Sequence, residues 1–558
     1  MTTGRQECRP QTWRSAPLIR RTPSKTAGPG DRRGYPPNVT MKIPLVILQN
    51  MTLRILCLCL TGFLFAADSS DVAKRWWAHV QVLAADNMEG RDTGSDGYRR
   101  AARYVVEQFE RAGLKPAGVS AYYQAVPLRA LRVRSEPHIA LLNGDAETPL
   151  RLNHQITLTP RTAGPVSIKA PLIFAGHAMK EDLDGLDLKG KIAVVVTGSA
   201  RGQAAADRAR LLSQAGAAGM LSIDNPRAIE PPRWPAAYST AMSIDSGERA
   251  TAVTPQLSMR FNSANAEQLF AGSGHSFAEL LDLTTAAKPL PHFELGKHLA
   301  VDAQIDEEKL SSDNILAVLP GSDPALANEY VVVSAHLDGY GFGEPVNGDR
   351  IYNAALDDAG SVANLIELAA ELHRAGKPFR RSLLFAVFTG EEKGLLGSNY
   401  FVSHPTITKE KLVADINLDY LRPIFPLKIL TTLGLEESTL GDTVRKVAEP
   451  LGIRIQTDDE PERGLFRRSD QFNFIRNGVP GVAFIFGYEK GSAEEATYRK
   501  WYADRYHRPS DDLNQPIDMA AAAKFQQFFE KLTESVANAD ERPAWHPSSI
   551  YGRGRTTP

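Results

Sequence analysis

His336 and Asp338 stand two apart at the end of the apolar run 331–337. Residues at that spacing on a strand face the same side, and a carboxylate there can fix the tautomer of the imidazole by a hydrogen bond. Asp357 and Asp358 adjoin at the start of a helical pattern. Glu391 and Glu392 adjoin just after the run ending Phe388-Thr389-Gly390. Asp419 closes another apolar run, and His507 lies in a loop rich in Pro and Asp. Imidazole and carboxylate donors in this mixture suit divalent cations, zinc among them. Two such ions can share one carboxylate and clamp a water together with a scissile carbonyl. A further carboxylate must then accept the proton of that water. Glu391 and Glu392 can divide this labour, one as ligand and one as base. Each piece alone has a bland reading: paired aspartates cap helices, and a glutamate pair favours a helix N-terminus. Asp419 is the least bland, because a buried, unpaired carboxylate is costly.

The elements that must position these groups alternate. Strands are predicted at 314–320, 330–338, 381–389, 414–420, 426–432 and 481–487, and helices at 358–375, 391–403, 439–451, 470–476 and 516–537. The strands are near-continuous apolar runs, as a sheet covered on both faces requires. The fold class is therefore α/β, a doubly wound, mostly parallel sheet with helices on both faces. The C-terminal ends of parallel strands share one rim, where ligands bind. Upstream, Tyr98, Ala101, Ala102, Val105, Phe109 and Ala112 form one stripe at helical spacing. Between 161 and 290 the texture becomes β-α-β and reads as an inserted smaller domain. That leaves 68–160 with 291–540 as the main domain and 541–558 as a loose Pro-, Gly- and Arg-rich tail.

A chain of 558 residues exceeds one compact core. With 64 basic against 65 acidic residues it carries no electrostatic footprint for nucleic acid. A mean hydropathy of -0.26 argues against a polytopic membrane protein. The three cysteines, Cys8, Cys57 and Cys59, leave no thiol for chemistry in the rest of the chain. Residues 1–50 read as disordered or as an upstream start, and 51–67 as a signal peptide with a short basic head and an apolar run. That run falls short of the roughly 20 residues of a membrane span. Export to the periplasm or the outside is the expected localisation, with loose membrane association if the segment stays uncleaved.

The motifs SAHLDGYG, ALDDAGSVA, FTGEEKGLLGS, INLDY, SDQFNF and YHRPSDDL, in that order, resemble the di-zinc aminopeptidase family, whose members include aminopeptidase Y and the glutamate carboxypeptidase II branch. The 165–290 region is similar to the protease-associated domain inserted in many members. The resemblance implies two zinc ions per chain, one held by His336, Asp357 and Asp419, the other by Asp357, Glu392 and His507. It further implies Glu391 as general base, Asp338 as the group orienting His336, and Tyr506 as an oxyanion partner. Peptides are the implied substrates, with cleavage at the N-terminus. Carboxypeptidase or dipeptidase action, glutaminyl cyclisation and a non-catalytic receptor-like role are the alternatives. Arg463, Arg467, Arg468 and Arg476 are either a carboxylate-binding cluster or a solvated basic face. Two departures from the family pattern, Gly360-Ser361 and Gln471, are expected to touch no ligand, with Gln471 in the pocket wall. His79, His177, His373 and His404 match no ligand position.

Overall fold

The uninterrupted apolar runs become the centre of one mixed sheet. In this computed structural model the described residues are 71–552, apart from 135, 198–204, 228–233, 248–256 and 377. The expected N-terminal extension (1–50) and signal peptide (51–67) lie outside the described residues. The strands that matter for the site are β1 (Phe293–Leu319), β2 (Tyr330–His336), β3 (Ser382–Phe388), β4 (Leu412–Asn417), β5 (Ile429–Leu433), β6 (Arg454–Gln456) and β7 (Gly481–Gly487). Their spatial order is β1-β3-β2-β4-β7-β5-β6. The middle four, β3, β2, β4 and β7, are mutually parallel, whereas β1 and β5 run antiparallel to their inner neighbours.

Side-chain alternation sorts the sheet into two faces. Val331, Val333, Leu383, Phe385 and Val387 pack on one side, under the helices α1 (71–83), α2 (Asp96–Arg111), α3 (Gly360–Ala375), α5 (Thr439–Ala448) and α8 (Met519–Asn538). Val332, Leu384 and Phe388 face the other way, toward α4 (Leu396–Ser403) and α6 (Gln471–Arg476). Both faces are thus dry, which explains the unbroken apolar strands. Helix α2 starts where Ser95 accepts a hydrogen bond from the Tyr98 amide at 3.1 Å, an N-cap. It buries the stripe Tyr98, Ala101, Ala102, Val105 and Phe109.

A second hydrophobic core gathers side chains from Leu131 to Ile305, wider at both ends than the 161–290 that texture suggested. The reason is β1. It is 27 residues long, far longer than the expected 314–320. Its first half, including Leu299, Val301 and Ile305, lies in the second core. Its last part, with Ile315 and Ala317, lies in the first.

Three expectations change. The glutamate pair does not start a helix: 391–395 is a loop, and α4 begins at Leu396. A helix absent from the sequence reading, α7 (Ala493–Asp504), buries Tyr498, Trp501 and Tyr502. Residues 541–552 are not loose. Thr439 donates to the Ala544 carbonyl at 2.9 Å and His546 to Glu437 at 2.9 Å, and Tyr551 packs its ring 5.8 Å from Phe466. No helix among the described residues is long and apolar enough to cross a membrane.

The loop carrying the glutamates is anchored by a close approach of α4 to the end of β3. Gly397 donates to the Thr389 carbonyl at 2.8 Å, and its own carbonyl accepts from Asn314 Nδ2 at 2.9 Å. A methyl group at Gly397 would collide with the Thr389 carbonyl and the Asn314 side chain. Gly397→Ala is expected to destabilise the fold by about 1–3 kcal/mol, the usual cost of overpacking. An unchanged denaturant midpoint would show that α4 does not need this contact.

Candidate metal centre

Three of the four parallel strands, β2, β3 and β4, deliver polar residues to the same rim. His336 is the last residue of β2, in register with Phe388 of β3. Glu391 and Glu392 follow β3, and Asp419 follows β4, whose Asn417 is in register with Ser334 of β2. Asp357 sits in the turn before α3, and His507 comes from the loop after α7.

The structure brings these side chains together. One oxygen or nitrogen from each of His336, Asp357 and Asp419 falls within a 4.8 Å group. So does one from each of Asp357, Glu392 and His507. Asp357 belongs to both groups. His336 Nε2 lies 3.8 Å from Asp357 Oδ1 and 3.8 Å from Asp419 Oδ1. His507 Nε2 lies 3.2 Å from Asp357 Oδ2 and 3.2 Å from Glu392 Oε1. Asp358, the other half of the aspartate pair, is buried and stands 4.0 Å from His336 Nε2, but joins neither group.

Buried carboxylates concentrated this way need counter-charge. Asp357 Oδ2 and Glu392 Oε1 are buried without a hydrogen-bond partner, although each faces His507. Atoms so placed fit a cation donor set: carboxylate oxygens and imidazole nitrogens, converging and dry. Arg422 contributes a fixed positive charge. It is fully buried, reaches Asp357 Oδ1 at 3.2 Å and donates to the Asp419 carbonyl at 2.9 Å. Burial alone would raise the Asp357 carboxyl, but Arg422, and after it His507, hold it well below the usual range. Glu391 is the opposite case. Burial, reinforced by the Asp419 and Glu392 carboxylates, pushes it well above the ordinary value. Its Oε2 is 3.9 Å from His336 Nε2, and it belongs to neither metal-type group.

Asp338 meets His336 through its main chain and not through its carboxylate. Its carboxylate stays 3.8 Å from His336 Nδ1, and its backbone carbonyl meets that nitrogen at 3.1 Å instead. The carboxylate accepts from the Glu391 amide at 3.0 Å and the Thr93 hydroxyl at 3.0 Å. Asp338 therefore orients the imidazole through its main chain and the glutamate loop through its side chain. Gln471 is fully buried, accepting from Asn417 Nδ2 at 3.0 Å and donating to the Phe466 carbonyl at 3.1 Å. It supports β4 from behind the rim and is not among the residues lining the cleft. Ser361, expected to touch no ligand-type residue, donates to the Asp419 carbonyl at 3.5 Å. His177 bonds the Val196 carbonyl at 2.9 Å and His79 bonds Tyr104 at 2.7 Å, so neither takes part in the centre.

Above the centre opens a cleft of about 390 Å³, lined by Tyr340, Glu391, Tyr420, Arg467, Arg468 and Tyr506 among others. Tyr506 stacks on His507 with ring centroids 3.7 Å apart. Of the four arginines, only Arg467 and Arg468 line this cleft. Arg463 pairs with Glu460 at 3.2 Å, and Arg476 bonds Asn399 at 2.8 Å.

Sequence reasoning missed the scaffold behind the ligands. Asp511 accepts from the Leu356 amide at 3.1 Å, and its carbonyl takes the Ala355 amide at 3.0 Å, which fixes the turn carrying Asp357. Arg91, fully buried, donates to the carbonyls of Leu83, Leu337, Asn353 and Ala354 at 2.6–2.8 Å. It ties the segments before Asp338 and Asp357 together. The only sequence signals were the Asp of YHRPSDDL and the Arg of the 84–95 stretch, neither with a visible partner.

Residues 314–533 match peptidase family M28. The chain is 28% identical over 230 residues to the probable leucine aminopeptidase 2 of Aspergillus oryzae, an alignment spanning 38% of this chain and 43% of that protein. It is 27% identical over 215 residues to leupeptin-inactivating enzyme 1 of Streptomyces exfoliatus, spanning 37% and 44%. The chain thus spans less than half the length of these curated relatives. In fold it is similar to the aminopeptidase from Aneurinibacillus sp. strain AM-1, with a TM-score of 0.56 at 18% identity over 84% of this chain and 95% of that one. It is also similar to BSAP, a zinc aminopeptidase from Bacillus subtilis, with a TM-score of 0.52 at 17% identity over 84% and 96%. The mixed, mostly parallel α/β sheet is the fold of these enzymes. Every ligand-type side chain described above lies inside 314–533, the segment that matches peptidase family M28.

Proposed function

We propose that this chain is a two-zinc exopeptidase that removes N-terminal residues from peptides. The observation that carries the reading is Asp357, shared between two convergent donor groups on a sheet rim beneath a cleft. His336 and Asp419 would complete one zinc site with it, and Glu392 and His507 the other. When bound, the two ions polarise a carbonyl and acidify water. The chain's own residues do the rest. Glu391, placed at the cleft and outside both donor groups, takes the proton of the attacking water and returns it to the leaving amine. Tyr506 is held against His507 with its body in the cleft wall, where its hydroxyl can donate to the developing oxyanion. The 161–290 region, within the second core, is read as a protease-associated domain, on the similarity of its GKIAVVVTG and AGAAGMLSI segments. Export by residues 51–67 is part of the same reading.

Arg467 and Arg468 support a second reading. Both are exposed and line the cleft, where a guanidinium suits a substrate carboxylate. That would make the chain a carboxypeptidase or dipeptidase. A panel of fluorogenic amino-acid amides, run with and without chelator beside N-blocked peptides with free carboxylates, separates the readings. The aminopeptidase reading expects chelator-sensitive cleavage of the amides. Cleavage of the blocked peptides alone would replace it with the second reading.

A further inference from the structure

Lys393 follows the glutamate pair directly, and its ammonium group is buried. It pairs with Asp92 Oδ1 at 3.1 Å and donates to the Gly339 carbonyl at 3.0 Å. It also lies 5.1 Å from the ring centroid of Tyr238 and 4.9 Å from that of Tyr340, so two aromatic faces clasp one cation. The two rings are themselves 5.8 Å apart. The Tyr340 hydroxyl then meets His507 Nδ1 at 3.1 Å, with the rings 4.6 Å apart. Nε2 of His507 points at Asp357 and Glu392. An imidazole that offers Nε2 to a cation carries its proton on Nδ1, so here Nδ1–H donates to the Tyr340 oxygen.

Tyr238 comes from the span of the second core, and its segment is pinned from both sides. Ala236 donates to the Asn153 carbonyl at 2.8 Å and Ser239 Oγ to Asn153 Oδ1 at 2.8 Å. On the other side, Glu344 donates its amide to the Ala237 carbonyl at 2.8 Å. Glu344 belongs to the hairpin formed by Gly341–Val346 and Asp349–Tyr352, which begins right after Tyr340. Its carboxylate receives Asn153 Nδ2 at 3.4 Å and stands 3.3 Å from His154 Nε2. The second core therefore bonds to the hairpin and presents Tyr238 to Lys393.

We propose that the 131–305 span, acting through Tyr238, is a positioning element for one of the two metal sites. Tyr238 and Tyr340 hold Lys393 between them, and the clasped Tyr340 sets the ring of His507 toward a cation shared with Asp357 and Glu392. Tyr238 and Tyr340 are positioning residues, since they act through His507. The effect is one-sided: His336 takes its orientation from the Asp338 carbonyl, not from a tyrosine hydroxyl. This inference rests on the two-zinc reading above.

The test is zinc titration of the metal-stripped full chain against a chromogenic chelator, with the unfolding midpoint of each stripped variant as the folding control. Wild type is expected to show two sites. Tyr340→Phe, which removes one oxygen, is expected to weaken one site by roughly 10–100-fold, the usual cost of losing a ligand's hydrogen-bond partner, and to leave the other unchanged. Tyr238→Ala is expected to weaken the same site, and Tyr238→Phe, which keeps the aromatic face, to restore it. Two wild-type affinities in Tyr340→Phe, or equal weakening of both sites, would overturn the proposal and leave the two-zinc reading standing. A wild-type chain that binds no zinc would overturn both.

Discussion

Glu391→Gln should lower turnover by roughly 10²–10⁴-fold, the contribution of a positioned proton carrier, and still hold two zinc ions per chain. The substitution keeps the shape of the side chain and removes only its capacity to accept a proton. The loop geometry survives, because Asp338 holds the Glu391 main-chain amide, not its carboxylate. The neighbouring Glu392 cannot take over, since its Oε1 is committed toward His507 and Asp357. Metal content measured beside steady-state rates checks the prediction. Full activity would remove Glu391 from the proton transfer, and loss of one zinc would make it a ligand.

Asp357→Ala has the largest expected structural effect. Asp357 alone belongs to both donor groups, so its loss should empty both sites, whereas Asp419→Ala and Glu392→Ala should each empty one. Removing it also leaves the Arg422 guanidinium, fully buried and 3.2 Å from Asp357 Oδ1, without its ion-pair partner. Stranding a buried charge costs about 3–5 kcal/mol. The expected result is a chain that unfolds at markedly lower denaturant and retains no zinc after dialysis. Two ions retained per chain would end the bridging role.

The parts of this site that were legible in the sequence are those fixed by backbone periodicity. His336, Glu391 and Asp419 stand just past apolar runs, and a parallel sheet must bring such ends to one rim. The parts that were not legible depend on long-range partners. Arg91 serves backbone carbonyls from three segments, two of them, at Leu337 and at Asn353-Ala354, far away in the chain, and Arg422 looks like any charged residue until Trp501 is seen 4.7 Å from it. Helix α7 escaped notice because its sequence, AEEATYRKWYAD, has no clean apolar stripe. Its aromatics pack around one another, with Tyr498 and Tyr502 4.7 Å apart. The border of the second core was misplaced because β1 runs through both cores without a break. Residues 541–552 have the composition of a tail, and main-chain bonds to Thr439 and Glu437 together with the rings of Trp545 and Tyr551 dock them.

The most direct test of the account is an anomalous-scattering map at the zinc edge from crystals of the full chain grown with zinc. Two peaks should flank Asp357, one also facing His336 and Asp419, the other Glu392 and His507. A single peak, or peaks away from Asp357, would contradict the shared-carboxylate centre on which the proposed chemistry depends.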